Sequence, residues 1–459
     1  MQGESGEGRS TAGVRAAGTA VLMLALLAAC GGGGGGGGSA GSGGAGGAGA
    51  ASSLGASDAL SGGSVTGPSG GVSAPLAAQL QPGDFTINTT TAGDQGRAAV
   101  ASLPGGGFVA VWSTSTGGAS DVRLQRFGAD GQAMGAEQVV AAAGSSAGVT
   151  AMADGGFLVS WSASPFMYEA NGHAQRFDAH GAPVGGPVQL VATFFKYVSR
   201  PLGLPDGSYV LAADTTMSRF GPEHGVVTRY AADGTVMGTP VRLASQLTPQ
   251  TGAFDPNWAG GTSAARWPDG RFAVAWIASG TGVAQVRLTR FDAQASEVAT
   301  ESVASGTVLQ HPAVAVLAGG GFALSWVSGA HDATKTLWLE AFGADGVSLG
   351  RQAVASDLQA AAVMPRLAAL DTGGFVLGWK SVNYDATAMN RTVSVQRFAA
   401  GGQASGGAEA ISAVSAPLDA VTFDVDSLDV LGGTGGSFLV VHGAYAAATG
   451  WDVRASTRR

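Results

Sequence analysis

Beyond residue 80, apolar runs of five to seven residues alternate with turns rich in Gly and Asp, and no stretch carries the three-to-four-residue period of an amphipathic helix. One run recurs seven times: GGFVAVW (106–112), GGFLVSW (155–161), GSYVLAA (207–213), GRFAVAW (270–276), GGFALSW (320–326), GGFVLGW (373–379) and GSFLVVH (436–442). Its aromatic markers are Phe108, Phe157, Tyr209, Phe272, Phe322, Phe375 and Phe438, spaced by 49, 52, 63, 50, 53 and 63 residues. A second run follows about twenty residues later and ends in its own aromatic residue at Phe127, Phe177, Tyr230, Phe291, Phe342 and Phe398. Pairs such as Asp130-Gly131, Asp233-Gly234 and Asp345-Gly346 come next, then one more short apolar run.

Four short strands per unit, repeated seven times, predict an all-β, seven-bladed β-propeller with four-stranded blades. The glycines before the markers and the Asp-Gly pairs suit turns that need positive φ. Runs such as FVAVW are apolar at nearly every position, as a blade covered on both faces requires, so the repeated Phe and Trp read as packing between blades. Blade 3 departs most, with Ala213 in place of Trp and two tyrosines in place of Phe. The last unit stops at Arg459 one strand short, whereas DFTINTT (84–90) precedes the first complete unit. This N-terminal strand is expected to complete blade 7, close the ring and remove an open edge.

Composition extends the picture at the N-terminus. Of 77 glycines, 20 lie in residues 31–80 and 52 follow residue 80, where they mark turns. The Gly/Ser/Ala-rich stretch buries too little apolar surface to offset chain entropy and reads as a disordered tether spanning about 40 Å. Before it, Arg9 and Arg15 precede an apolar run from Ala16 to Ala29 that is too short to span a bilayer and reads as a signal peptide. The division is therefore 1–29 signal peptide, 30–80 tether and 81–459 propeller. Charged residues make up only 12%, the formal net charge is −8 and three lysines occur, which argues against nucleic acid as a partner. One cysteine excludes a disulfide framework, and the six scattered histidines offer no metal motif, so neither a cofactor nor a catalytic metal is expected.

Leu27-Ala28-Ala29-Cys30 resembles the lipobox of bacterial lipoproteins. The resemblance implies cleavage after Ala29, acylation of Cys30, and, with Gly31 following, an anchor in the outer membrane; two or more acyl chains hold stably. The GGFxVxW and QRFDxxG units, over about residues 84–455, are similar to those of exported bacterial repeat proteins. Kelch units and the Asp-box of sialidase propellers place their aromatic and acidic residues differently.

Candidate chemistry is sparse. Three G-x-S-x-G matches, at 37–41, 67–71 and 144–148, lack the strand-turn-helix setting of a hydrolase nucleophile. On the innermost strands, registered on the aromatic markers of the first six blades, Arg97, Arg200, His311 and Arg366 fall at positions that converge on one channel mouth and could hold a carboxylate or sulfate. The bland alternative is pairing with local acids such as Asp94. Asp424, Asp426 and Asp429 have calcium-like spacing but alternate within an apparent strand without a glycine turn. The longest departures from the repeat are 245–262, with Asp255, Asn257 and Trp258 as candidate loop contacts, and 381–392. No catalytic residue can be named.

The sequence thus points to a lipid-anchored, monomeric propeller of the bacterial cell envelope, periplasmic or surface-exposed, acting as a non-enzymatic binding or scaffolding module for a glycan or protein. Two alternatives stand beside it. One is a hydrolase or lyase acting on polysaccharide through acidic channel residues; the other is an outer-membrane assembly factor.

Overall fold

The repeated runs fold as the second strand of each blade. The computed structural model describes residues 83–459 except 105, 164–171, 191–194, 199, 217–222, 244–261, 281–282, 331–332, 361 and 419–426. The signal peptide, Cys30, the tether, Asp255, Asn257, Trp258, Asp424 and Asp426 therefore lie outside the described residues, which all fall in one unit, Ala51–Arg459.

Every aromatic marker opens a strand: Phe108–Thr116, Phe157–Ser162, Tyr209–Thr216, Phe272–Gly280, Phe322–Ser328, Phe375–Tyr384 and Phe438–Ala446. Each lies between an inner strand before it and a third strand after it, and the third strand pairs with a fourth, giving seven antiparallel sheets. The inner strands are Asp94–Ser102, Ser145–Ala151, Leu202–Gly203 (with Phe195–Val198), Ser263–Arg266, Leu309–Val316, Ala362–Ala369 and Leu428–Gly432. Each touches the next and the last touches the first, so the sheets form a closed ring of blades.

Packing accounts for the repeat. In blades 1 to 6 the marker stacks on the aromatic residue ending the third strand, as Phe108 does on Phe127 at 4.7 Å and Phe322 on Phe342 at 4.5 Å. Such offset stacking adds roughly 0.5–1.5 kcal/mol to the burial of each ring. The double glycine has two separate causes. Gly106 has φ 95°, and a Cβ on Gly107 would lie 2.3 Å from the carbonyl oxygen of Phe127. Along the inner strand the side chains alternate: Ala99, Ala101 and Leu103 pack forward onto blade 2, whereas Ala98 and Val100 pack back onto blade 7.

The closure is the one the spare N-terminal strand predicts. Gly83–Thr86 pairs antiparallel with Gly450–Arg458, from Gly83 opposite Thr457 to Thr86 opposite Arg454. Ile87 N–H then donates to the Val453 carbonyl at 2.9 Å, and the Asn88 side chain accepts from Val453 N–H at 2.8 Å and donates to Asp452 at 2.8 Å. On the other side Glu137 of blade 1 accepts from the N–H groups of Thr89 and Thr90 at 2.8 and 3.1 Å. One short segment therefore clasps the last blade to the first.

Blade 7 also holds a pH-sensitive group. His442 stands four residues after the marker, where five blades carry Trp, and is 4% exposed. Burial lowers its pKa, and the charges of Arg391 and Arg454 press the same way; Gly443 O and Asp84 oppose them. The unfolded chain thus takes up a proton that the folded one resists. Stability from this site is full above about pH 6.5 and falls as the pH drops below it. Denaturant midpoints between pH 7.5 and 5 should show the fall, and His442→Gln should flatten it; an equal slope in both proteins would remove His442 as the cause.

One expectation needs correction. Residues 381–392 are not a loop inserted between strands, because Phe375–Tyr384 and Ala388–Phe398 run through the segment as a longer hairpin. Val382 and Met389 are buried with Trp451 of blade 7, and the Asp385 carboxylate accepts from Thr387 and Ala388 N–H at 2.8 Å to make the turn.

Candidate functional site

The two faces of the ring differ. The turns from inner to second strand are the same in blades 1 to 6, closed by a pair of bonds such as Leu103 N–H to Gly107 O and Gly106 N–H to Leu103 O; blade 7 keeps the first, Gly433 N–H to Ser437 O, but turns through a short 3-10 segment, Thr434–Gly436. On the opposite face the connections vary, from 307–308 between blades 4 and 5 to 244–262 between blades 3 and 4. Variable connections on a constant scaffold are where recognition concentrates. The inner strands begin at this face.

Nine residues before the marker stand Ala99, Gly148, Arg200, Ser263, Ala313, Arg366 and Asp429, all within inner strands except Arg200, which lies between the two inner segments of blade 3. Three of these meet. Arg200 of blade 3 forms an ion pair with Asp429 of blade 7, a contact between non-adjacent blades that crosses the central channel. Both also act electrostatically on Arg366 of blade 6. Asp429 is 3% exposed and fully engaged: one oxygen accepts from Val100 N–H of blade 1 at 2.8 Å, the other from Val430 N–H at 2.8 Å and from Arg200. Ser263 repeats the first bond, accepting from Val314 N–H of the next blade at 3.1 Å. Position nine is thus where a polar side chain satisfies a backbone donor of the following inner strand.

Arg366 has the least compensated environment of the three. It is half-buried and donates to the Pro365 carbonyl at 2.9 Å. Enclosure lowers its pKa to about 10, the neighbouring charge of Arg200 adds to the lowering, and Asp429 offsets part of it. A second arginine, Arg266 on the inner strand of blade 4, is lowered to about 10 by burial alone, and its Nη1 is buried with no hydrogen-bond partner. Two arginines and one acid form the channel cluster, so its balance is positive within an acidic protein.

Arg97, Ser146 and His311 occupy a shared position, eleven residues before the marker in blades 1, 2 and 5. All three adopt left-handed backbone, with φ 49°, 57° and 50°, at bulges in their inner strands. Such geometry costs roughly 1–3 kcal/mol per residue and persists where neighbours enforce it. Arg97 hydrogen-bonds the Ser146 hydroxyl across the blade boundary. The proposed anion ligands therefore fall into two groups: Arg200 with Arg366 and Asp429, and Arg97 with Ser146. His311 shares the backbone form of the second group. Asp94 caps blade 7, accepting from Trp451 N–H at 3.1 Å. The G-x-S-x-G match at 144–148 lies within the inner strand of blade 2, not at a strand-turn-helix elbow.

The sequence reading missed the place of Asp429, although the marker spacing that selects Arg200 and Arg366 leads from Phe438 straight to it. Among the described residues no cluster of His, Cys, Asp or Glu could hold a metal, and no helix is long and apolar enough to cross a membrane.

No protein-family model matches the chain, and no curated protein matches it. Similar solved structures include an ulvan lyase, 10% identical with TM-score 0.48 over 84% of this chain and 97% of that one. A fucose-specific lectin from Aleuria aurantia is 10% identical, TM-score 0.40, over 71% and 97%. An α-L-arabinofuranosidase from Lactobacillus brevis is 12% identical, TM-score 0.32, over 58% and 92%.

Proposed function

We propose that the protein is a non-enzymatic binding module of the bacterial cell envelope, anchored through Cys30, whose channel mouth holds a carboxylate or sulfate of an acidic glycan. The observation that carries this reading is Arg366: enclosed, pressed toward its neutral form, and set beside an Arg200–Asp429 pair that already uses the acid. A bound anion would relieve the strain that enclosure places on its charge.

The position of the acids favours binding over hydrolysis. Glycoside cleavage needs two carboxylates flanking the bond. Among the described inner strands the acids are Asp94 and Asp429, and both accept backbone N–H groups. The lipid anchor and envelope location rest on the lipobox alone, and incorporation of radiolabelled palmitate, abolished by Cys30→Ser, checks them.

Calorimetric titration of the protein with sulfated and uronic-acid disaccharides tests the site. Arg366→Gln should weaken binding at least about tenfold, roughly 1.4 kcal/mol, and added salt should weaken the wild type. Arg271→Gln, remote on a constant turn and paired with Asp269, is the control. Equal affinity in wild type and Arg366→Gln would refute the assignment.

A further inference from the structure

At the variable face a cavity of about 340 Å³ opens between blades 4 and 5. Its walls include Trp326, Trp338 and Arg351, and its rim Ser305, Thr307 and Ser328. The repeat shows why it lies here. The residue paired across the sheet from marker-plus-four is Arg123, His173, Val226, Arg287, Ser394 and Arg454 in the other six blades, but Trp338 in blade 5. The connection 307–308 is also the shortest between any two blades, so little chain covers the opening. A bond from Gly329 N–H to Val308 O at 3.3 Å ties its two sides together.

The chemistry of the walls is selective. Arg351 lies 5.1 Å over the Trp326 ring, pairs with Glu340 at 2.8 Å and donates to Val303 O at 2.6 Å, so its charge is already balanced. Trp338 donates its indole N–H to Ser328 Oγ at 2.9 Å, which leaves the π surface of this half-buried ring as what it offers a ligand. An aromatic wall, a hydroxyl rim and no unbalanced charge match one ring with an apolar C–H face and an equatorial belt of hydroxyls. We propose that this cavity binds a single neutral sugar residue. The site is separate from the channel and does not depend on the anion reading.

For one sugar ring the affinity should be weak, with Kd of roughly 1–10 mM. The test titrates the purified protein with methyl glycosides of glucose, galactose, mannose, fucose and rhamnose, read by tryptophan fluorescence and saturation-transfer NMR. At least one should bind saturably. Trp338→Ala should weaken it at least about tenfold, whereas Trp338→Phe should stay within about threefold. Thr307→Trp, on the exposed connection, fills the cavity without removing core packing and should abolish binding even if Trp338→Ala fails to fold. Arg366→Gln should change nothing here. No saturable binding up to about 50 mM, or unchanged binding in Thr307→Trp, would overturn the proposal.

Discussion

Deleting residues 81–92 is expected to lower the melting temperature by about 5–10 °C and drive the protein into aggregates. The truncation removes Ile87, 1% exposed, and Phe85, half-buried 5.8 Å from the Phe127 ring. Together these side chains contribute roughly 4–8 kcal/mol by the cost of emptying such sites. A chain of this size has an unfolding entropy near 2 cal/mol/K per residue, so each kcal/mol moves the midpoint by only about 1 °C. Solubility should respond more than the midpoint. Gly450–Arg458 becomes an unpaired edge, and Glu137 loses the Thr89 and Thr90 donors that tie blade 1 to the closing strand. Scanning calorimetry and size-exclusion chromatography read the two effects; an unchanged midpoint with a monomeric profile would mean that the ring closes without this strand.

The second large effect is at Asp429. Asp429→Ala leaves Val100 N–H without its acceptor and Arg200 beside Arg366 without the intervening charge. Breaking a buried pair from one side costs roughly 3–5 kcal/mol, so the midpoint should fall by about 4–6 °C. Asp429→Asn keeps an oxygen for the Val100 donor and should lose less. The same Asn variant removes the negative charge beside Arg366, so anion affinity should rise several-fold while stability falls. A double-mutant cycle with Arg200→Met should give a coupling of at least about 1 kcal/mol; additive costs would mean that the contact across the channel does not hold blades 3 and 7 together.

The repeat made the architecture legible because each of its residues answers a local demand. The marker must stack, the first glycine must take positive φ, a second glycine in four blades must clear a carbonyl, and these demands recur at fixed spacing. The channel was legible only in part. Arg200 and Arg366 follow from register, but Asp429 sits in TFDVDSLDVL, where three alternating aspartates look like cation ligands. Its use depends on Val100 of a blade more than three hundred residues away. The left-handed bulges at Arg97, Ser146 and His311 had no signal in residue type, since none is glycine and the strain is enforced by neighbouring blades. The sugar-sized cavity was hidden for a similar reason. Trp338 looks like one more aromatic residue in the repeat until its partner Trp326 and the two-residue connection 307–308 are placed around it.

A crystal structure of the protein soaked with a sulfated disaccharide would show whether the channel holds an acidic group at Arg366. The expected result is a sulfate or carboxylate oxygen within hydrogen-bond distance of the Arg366 guanidinium, with the Arg200–Asp429 pair intact beside it. A disaccharide bound elsewhere while Arg366 keeps only the Pro365 carbonyl would contradict it.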